Sequence, residues 1–428
     1  MDQLVKKSIK INIMKLAAVS IKSKLPKGAW LVVILLAIVG CLNYLDRTMI
    51  TTMRGSIVDA IPMSDAQFGL LTSVFLWVYG IASPFAGFLA DKFSRSTVII
   101  GSLFLWSLVT WLTAYSTTFG HLLATRALMG ISEACYIPAA LSLIVEYHRN
   151  TTRSLAIGIH MVGIMVGSGL GFVGGWVAEN HHWNTIFIIL GIFGIIYALI
   201  LAFTLKDAPK SEVDIASEKT EDKVNFFHSV KVLFKLKSYI LVLIAWGLLG
   251  TVAWLVVGWL PTYFQEHFDL TQGMAGLYAT GYLYPAAIVG LLVGGFWADR
   301  WSRSNPRARI LVPVIGLCIA APSIFIASYT SILPIAVVCF MLYSLTKSFI
   351  DTNMMPVLCL IVYPRYRATG YGILNLVACI IGGIGLYAGG VLRDLNINLS
   401  SVYQFAALTM IISIVVLILV KPKYIEPE

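Results

Sequence analysis

Twelve long apolar runs constrain this chain more than any other feature of its sequence. A helix needs about 20 apolar residues to cross a bilayer, and each run reaches that length. Hydrophobic residues make up 58% of the 428 positions and charged residues 12%, which leaves no room for a soluble catalytic domain. The backbone must satisfy its own hydrogen bonds in lipid, so we predict an all-α membrane protein with twelve transmembrane helices. The runs cover residues 29–53, 66–90, 97–116, 119–147, 154–178, 183–205, 238–262, 272–298, 309–328, 331–362, 368–392 and 400–420.

The distribution of lysine and arginine predicts the orientation. If the N-terminal tail lies in the cytoplasm, 26 of the 31 basic residues fall on that side, and only Arg54 and Arg393 fall on the other. Multi-pass proteins carry such an excess on the cytoplasmic side. We therefore expect a multi-pass protein of a bacterial-type inner (plasma) membrane with both termini cytoplasmic. The net charge of +10 then reflects orientation and attraction to the headgroups of the lipid bilayer, and it requires no nucleic-acid partner.

Polar segments divide the chain into two halves. Residues 1–28 form a basic cytoplasmic tail that leads into the first run without a signal-peptide cleavage site, and residues 421–428 form a short second tail. The long polar stretch at 206–237 is typical of a cytoplasmic linker, and its end, from Phe226 onward, suits a short surface helix. The predicted N-terminal half is therefore 29–205 and the C-terminal half 238–420.

A nine-residue segment occurs once in each half. GFLADKFSR at Gly87–Arg95 follows the second run, and GFWADRWSR at Gly295–Arg303 follows the eighth, 208 residues later. Seven of the nine positions are identical or exchange lysine for arginine. Two parallel halves joined by a linker are the layout of an alternating-access transporter whose substrate site lies at mid-membrane between the halves.

The first of these segments resembles the cytoplasmic-loop signature of the major facilitator superfamily. RALMGISEA at Arg126–Ala134 is similar to the fourth-helix signature of the same superfamily. The resemblance covers essentially the whole chain and implies the major facilitator fold, with six helices in each half. The loop is suited to act as a cytoplasmic gate, because an aspartate there can accept hydrogen bonds from helix termini of the opposite half. We assign to this gate Gly87, Asp91, Arg95, Asp299 and Arg303.

Six charged residues lie well inside the predicted spans, away from the span ends. Each costs about 2.5 to 3.5 kcal/mol at the centre of a membrane helix on insertion scales, so such groups are expected to pair or to face a wet cavity. Arg126 and Glu133 are seven residues apart and share one helix face, and Asp46 lies at a similar depth in the first span. A carboxylate beside an arginine can take up a proton when an anionic substrate competes for that arginine. The six residues are Asp46, Arg47, Arg126, Glu133, Lys347 and Asp351.

Within the superfamily, NYLDR at Asn43–Arg47 together with Arg126 and Glu133 resembles the anion:cation symporter family. Members of that family include proton-coupled importers of hexuronates, aldonates and aldarates. The resemblance implies a secondary active transporter that imports a small organic anion, such as a sugar acid, by symport with protons. It implies no cofactor other than the proton gradient, and we expect a monomer.

The same resemblance implies individual roles. Arg47 would hold the substrate carboxylate, and Arg126 would organise the two membrane-embedded acids. Proton coupling is assigned to Asp46 and Glu133. Substrate binding is assigned to Tyr44, Arg47, Tyr79, Arg126 and Asn375, the last of which matches a family asparagine only loosely.

The second half contributes a candidate polar site in the tenth span. Lys347 and Asp351 are spaced i and i+4, a spacing that suits an ion pair on one helix face. Such a pair can neutralise itself, so a structural role and a role in selectivity both stay open. Asn353 is a further polar group of the same segment.

A Spinster-like lysolipid transporter is the alternative that the sequence leaves open. Spinster-like proteins share the Asp-Arg pair of the first span and the Arg-x-x-x-Gly-x-x-Glu-Ala pattern of the fourth. VGSGLG at Val166–Gly171 resembles their fifth span, and Asn353 with the segment RAT at Arg367–Thr369 resembles their tenth-to-eleventh segment. The same buried charges would then serve a zwitterionic lipid headgroup in proton-coupled lysophospholipid transport.

Other functional classes find less support in the sequence. The seventh run contains no arginine or lysine, which a sugar-phosphate antiporter would need. The seven histidines are scattered, and neither H-E-x-x-H nor G-x-S-x-G occurs. All six cysteines lie inside apolar runs and form no C-x-x-C pair. We therefore expect neither an enzyme nor a metal site.

Overall fold

The structure is a computed structural model that describes residues 25–148, 152–209 and 226–422. The side chains of Phe88, Ala90 and Asp91 lie outside the description. Most of the two predicted tails and residues 210–225 of the predicted linker also lie outside it. The described part of the linker ends in a helix at Phe226–Lys235, whose Leu233 is buried and whose Phe227 is largely exposed.

In the described ranges, twelve helical segments are long and apolar enough to cross a membrane, which confirms the predicted all-α fold. We number these segments span 1 to span 12 in chain order. Spans 1 to 6 are Ala29–Thr52, Asp65–Lys92, Arg95–Thr113, Phe119–Tyr147, Arg153–Asn180 and Thr185–Thr204. Spans 7 to 12 are Lys237–His267, Gln272–Ser302, Ala308–Tyr329, Leu333–Ile361, Pro364–Asp394 and Leu399–Ile418.

Successive spans cross in opposite directions, so the molecule has two faces. We call the side where span 1 begins at Ala29 and span 12 ends at Ile418 the tail face, and the opposite side the far face. A short helix at Arg54–Ala60 follows span 1 on the far face. The capping box of Ser64 and Gln67 begins span 2 there, because the two side chains satisfy backbone N–H groups that the helix leaves free.

The two halves meet along matching pairs of spans. Span 2 packs against span 11 and span 5 against span 8, with a smaller contact between spans 1 and 7. Hydrogen bonds between described residues of opposite halves lie between mid-membrane and the far face, from Trp77 with the carbonyl of Ile380 to the backbone of Asp65 with Asp394. These hydrogen bonds thus join the halves between mid-membrane and the far face.

Glycines allow the closest approach inside the first half. A Cβ atom on Gly163 would lie 2.4 Å from the carbonyl oxygen of Ala37, and one on Gly167 would lie 2.0 Å from that of Cys41. Both distances are far below van der Waals contact. Span 5 can therefore lie directly against the backbone of span 1 only because these positions carry no side chain.

Three spans are interrupted. Span 4 breaks at Cys135, because the ring of Pro138 would clash with the carbonyl group of Ala134 in a continuous helix. Span 5 breaks between Gly169 and Phe172, and span 8 contains a π-helical turn at Leu277–Gly281. These last two irregular turns meet across the interface, because Thr280 donates to the carbonyl of Gly169 and accepts from the backbone N–H of Phe172.

Candidate substrate cavity and buried charge network

A cavity of about 320 Å³ lies between the two halves near mid-membrane. Spans 1, 2 and 5 of the first half and spans 7, 8, 10 and 11 of the second supply its wall. Much of that wall is apolar, with Trp246, Leu249 and Val257 of span 7 among its residues. Six residues predicted from the sequence line it: Tyr44, Arg47, Tyr79, Lys347, Asp351 and Asn375.

Arg47 is the best-supported group on the first-half wall. Its Nε donates a 2.7 Å hydrogen bond to Oε2 of Glu133, and the two side chains are 3% and 0% exposed. The guanidinium carbon lies 4.6 Å from the centre of the Tyr44 ring and 4.4 Å from that of Tyr79. Its Nη2 is buried and has no hydrogen-bond partner among the described residues. An arginine held in this way retains a free donor for an anionic ligand.

The position of Glu133 depends on close contact between spans 2 and 4. A Cβ atom on Gly130 would lie 2.8 Å from the carbonyl oxygen of Phe75 and 3.1 Å from the backbone nitrogen of Tyr79. The missing side chain brings the last turn of the helix Phe119–Ala134 against span 2. Glu133 then extends behind Arg47, out of direct contact with the cavity.

The structure separates the other two predicted members of this network. Asp46 accepts a 3.1 Å hydrogen bond from the hydroxyl of Thr110 in span 3, and its Oδ1 has no partner among the described residues. Arg126 lies over the ring of Phe75 at 4.8 Å, and its Nη1 lies 3.4 Å from the sulfur of Met129.

The family resemblance implied that Arg126 would organise the two acids. Within the described residues Arg126 forms no ion pair shorter than 4.0 Å with either acid. The physical reason is that Glu133 extends toward span 1, where the guanidinium of Arg47 is closer. Arg126 instead lines a narrow extension of the cavity that also contacts Arg47, Thr51 and Thr72.

Lys347 and Asp351 form the predicted pair on the second-half wall. The Nζ of Lys347 donates to both carboxylate oxygens of Asp351, at 2.9 and 2.8 Å. Their side chains are 18% and 32% exposed, so the pair faces the cavity. Tyr284 and Tyr343 line the same wall.

Asn353 does not join that pair. Its amide donates to the carbonyl of Phe349 at 2.8 Å and to that of Gly294 at 3.4 Å, and the side chain is buried between spans 8 and 10. Asn353 is two residues beyond Asp351, which turns it about 200° away on the helix. The structure therefore places Asn353 apart from the cavity-facing pair of Lys347 and Asp351.

The residues assigned to the gate lie at the tail face, some in each half. Arg95 pairs with Glu146 at 3.2 Å and Asp299 with Arg309 at 3.0 Å, each within its own half. A Cβ on Gly87 would meet open space, and Arg303 lies exposed in a surface groove beside Trp301. The side chain of Asp91, the central residue of the predicted gate, lies outside the described residues. The ion pairs of Arg95 and Asp299 thus each join groups of the same half.

A polar cluster on the far face joins the halves and was not predicted. Arg393 forms two 2.7 Å hydrogen bonds with Glu266 and one of 3.0 Å with Asp65 of the other half, and Asp65 also pairs with Arg54. Asp394 accepts hydrogen bonds from the backbone N–H groups of Asp65, at 2.9 Å, and of Ala66, at 3.0 Å. We call Arg54, Asp65, Glu266, Arg393 and Asp394 the far-face cluster.

The sequence held one signal for this cluster. Arg54 and Arg393 are the two basic residues that fall on the far face, and an interpretation based on orientation alone treats them as exceptions. In the structure both lie near the ring of Trp259, with guanidinium carbons at 6.0 and 5.4 Å from its centre. Each arginine also has an opposite charge of the other half nearby, Asp65 for Arg393 and Glu266 at 3.9 Å for Arg54. These contacts explain two basic residues that the orientation of the chain leaves as exceptions.

A fold of twelve spans in two contacting halves, with a charged cavity between them, defines a membrane transporter. Residues 36–386 match the model of the Major Facilitator Superfamily, and a second match covers residues 273–428. The chain belongs to this superfamily, and it is a transporter rather than an enzyme.

Spinster proteins are among the curated relatives and solved structures that this chain resembles. Protein spinster homolog 1 of Xenopus tropicalis is 26% identical over 383 residues, which are 85% of this chain and 72% of that protein. The sphingosine-1-phosphate transporter SPNS2 of Mus musculus is 27% identical over 382 residues, 84% of this chain and 69% of that protein. The structure of a bacterial homolog of the human lysosomal transporter Spinster, inward-facing and unoccupied, has a TM-score of 0.72 at 24% identity, covering 92% of this chain and 96% of that one. The names of these relatives fit the Spinster-like alternative better than the sugar-acid hypothesis, and the solved structure shows the same fold.

Proposed function

We propose that this protein carries a lysophospholipid, a lipid with one acyl chain and a phosphate headgroup, by proton-coupled alternating access. The names of its relatives support a lipid substrate, because one of them is a sphingosine-1-phosphate transporter. The cavity supports it independently. Its wall combines Arg47 for a phosphate with apolar side chains of spans 7 and 8, such as Leu249, Val256 and Leu283, for an acyl chain.

The observation that carries the proposal is the position of Arg47 between the cavity and Glu133. The guanidinium lines the cavity on one side and donates to the buried carboxylate on the other. A phosphate in the cavity would draw the guanidinium toward itself, because a bidentate arginine–phosphate pair is among the strongest charge-assisted interactions in proteins. The carboxylate of Glu133 would then lose its partner in an environment that excludes water.

Coupling to protons follows from this competition. A buried carboxylate without a counter-ion is strongly unfavourable, and a proton removes its charge. Binding of the phosphate and protonation of Glu133 would therefore favour each other. Asp46 is the second proton acceptor that we propose, because one of its oxygens is buried without a partner and the other is held by Thr110 alone.

Orientation belongs to the same proposal. We place the tail face in the cytoplasm, because most of the basic residues lie on that side of the spans. The far-face cluster then closes the opposite side, and its ion pairs must open in the other state of the transport cycle. Alternating access requires such an exchange of contacts between the two ends of one interface.

A ligand panel tests the substrate class. Purified protein would be heated with lysophospholipids, with hexuronates and aldonates, and with no ligand, since a bound ligand stabilises the fold by mass action. We expect stabilisation by lysophospholipids at micromolar concentrations and none by sugar acids. Stabilisation by sugar acids alone would overturn the proposal and restore the organic-anion hypothesis.

Proteoliposomes test the coupling. A pH difference across the membrane should drive accumulation of a fluorescent lysophospholipid in wild-type vesicles. Vesicles with the variant Arg307→Lys should accumulate the lipid as the wild type does, because Arg307 is exposed on the tail face, away from the cavity. Uptake that is indifferent to the pH difference would contradict proton coupling while leaving the substrate class intact.

A further inference from the structure

The wall of the cavity carries one ion pair that the proposed coupling does not use. Lys347 and Asp351 bond to each other at 2.8 to 2.9 Å, and both remain partly exposed to the cavity. An ion pair that is accessible to water contributes little to stability, so a ligand can separate it at little cost. The pair is therefore available for exchange with a charged ligand.

The distribution of charge on the wall is uneven. Among the described residues that line the cavity, Arg47 and Lys347 are cations, whereas Asp351 is the one carboxylate. Glu133 lies behind Arg47 and does not line the cavity. The other titratable side chains on the wall are Tyr44, Tyr79, Tyr284, Tyr343 and Cys379. A phosphate thus meets two cations, but a cationic group on the substrate meets a single carboxylate.

We propose that the Lys347–Asp351 pair opens when substrate binds and recognises the cationic group of a zwitterionic headgroup. The substrate's ammonium would take the place of Lys347 on the carboxylate of Asp351, and Lys347 would turn to the substrate's phosphate. Binding would thus replace one ion pair within the protein by two ion pairs between the protein and the lipid. This inference rests on the proposed lysophospholipid transport and narrows it to headgroups that carry both charges, such as phosphoethanolamine and phosphocholine.

A headgroup with a phosphate but no ammonium would bind less well. Its phosphate could still pull Lys347 away, but Asp351 would then be left without a counter-ion in a cavity that the lipid has freed of water. Removing one partner of a desolvated ion pair is strongly unfavourable. The pair would therefore select against purely anionic lipids, although two cations line the same cavity.

Three lipids with one acyl chain and one phosphate test this selection: lysophosphatidylethanolamine, lysophosphatidylcholine and lysophosphatidylglycerol. The first two carry a cationic nitrogen, and the third has hydroxyl groups in its place. Dissociation constants would be measured at equilibrium with the full-length protein in nanodiscs. For the wild type we expect the two zwitterionic lipids to bind at least about tenfold more tightly than the glycerol lipid.

Asp351→Asn is the decisive variant. It should weaken binding of the two zwitterionic lipids and strengthen binding of the anionic lipid, because Lys347 becomes an unpaired cation. The preference should fall to about one or reverse. Asp269→Asn is the matched control, since Asp269 is exposed near the far face and its φ of 51° is one that asparagine tolerates. Should Asp351→Asn fold poorly, Lys347→Gln/Asp351→Asn removes both charges and should likewise abolish the preference.

The outcomes separate this inference from the proposed function. If all three lipids bind the wild type equally, or if Asp351→Asn keeps the wild-type preference, the role of the pair is overturned and lysophospholipid binding stands. If none of the lipids binds the wild type, the proposed function fails and this inference fails with it.

Discussion

Each half of the protein has one ion pair beside the central cavity, and the two pairs differ in almost every physical respect. Arg47 and Glu133 are 86 residues apart in sequence and belong to spans 1 and 4. They are buried almost completely, and Nη2 of Arg47 has no partner among the described residues. Lys347 and Asp351 are four residues apart on one helix, are partly exposed, and satisfy both carboxylate oxygens.

This difference indicates that the two ion pairs have different functions. A buried pair with unsatisfied donors is unfavourable for folding alone, because desolvation offsets most of the attraction between its charges. Such an arrangement is expected where the protein changes its protonation or its partners during function. The partly exposed pair is close to neutral in energy and suits recognition of a ligand. We therefore place proton coupling in the first half and headgroup selectivity in the second.

Loss of proton coupling is the largest effect that we expect. Glu133→Gln removes the ionisable group beside Arg47 but preserves its shape and a hydrogen-bond acceptor. Proton-driven accumulation in proteoliposomes should disappear, whereas exchange of labelled for unlabelled substrate should continue. The corresponding change in the second half, Asp351→Asn, should retain a response to the pH gradient. Equal loss of accumulation and exchange in Glu133→Gln would contradict the division of roles.

The second-largest effect that we expect is on folding stability, which should distinguish the two ion pairs. Arg47→Met leaves Glu133 buried without a counter-ion and should destabilise the protein by about 3 to 5 kcal/mol, as breaking a buried pair typically does. The double variant Arg47→Met/Glu133→Gln should recover much of this loss, because it removes the uncompensated charge. Unfolding in detergent at neutral pH measures both. If single and double variants were equally unstable, the effect would come from packing against Tyr44 and Tyr79 instead.

Arg47→Lys tests binding and should have a smaller effect. Lysine keeps the positive charge but lacks the planar fork that can bond Glu133 and a phosphate at once. Affinity for lysophospholipid should fall about 10- to 100-fold, a loss of about 1.4 to 2.8 kcal/mol. The exposed Arg307→Lys provides the matched control in the same binding titration. An unchanged dissociation constant for Arg47→Lys would remove Arg47 from the substrate site.

The smallest effect should come from the second-half pair. Asp351→Asn breaks an ion pair that water can reach, so the free energy of unfolding should change by less than about 1 kcal/mol. The measurement is again unfolding in detergent, with Asp269→Asn as control. A loss as large as that of Arg47→Met would mean that the second pair supports the fold, and the contrast between the two halves would be lost.

Much of the fold could be predicted from the sequence because membrane insertion is governed by local composition. Each span is recognisable from its own residues, and a charge inside a span is conspicuous wherever the helix packs. The predicted shortlist therefore contained both ion pairs of the cavity wall. The i and i+4 spacing also predicted the bond between Lys347 and Asp351, because a helix alone determines that distance.

The partners of the first-half charges could not be predicted in the same way. Arg47 could pair with either acid, and the choice of Glu133 depends on how closely Gly130 allows span 4 to approach span 2. Thr110 as the partner of Asp46 and the burial of Asn353 between spans 8 and 10 follow from the same kind of packing. The far-face cluster brings together residues more than 300 positions apart.

The sequence by itself determined that this chain crosses a membrane twelve times, that it repeats in two halves, and which charges lie at mid-membrane. These properties depend on single helices and their transfer into lipid. Only the tertiary structure decided which charges meet, which line the cavity, and at which face the halves are joined. Those properties depend on distances between helices, which are set by small side chains at contact points far apart in the chain.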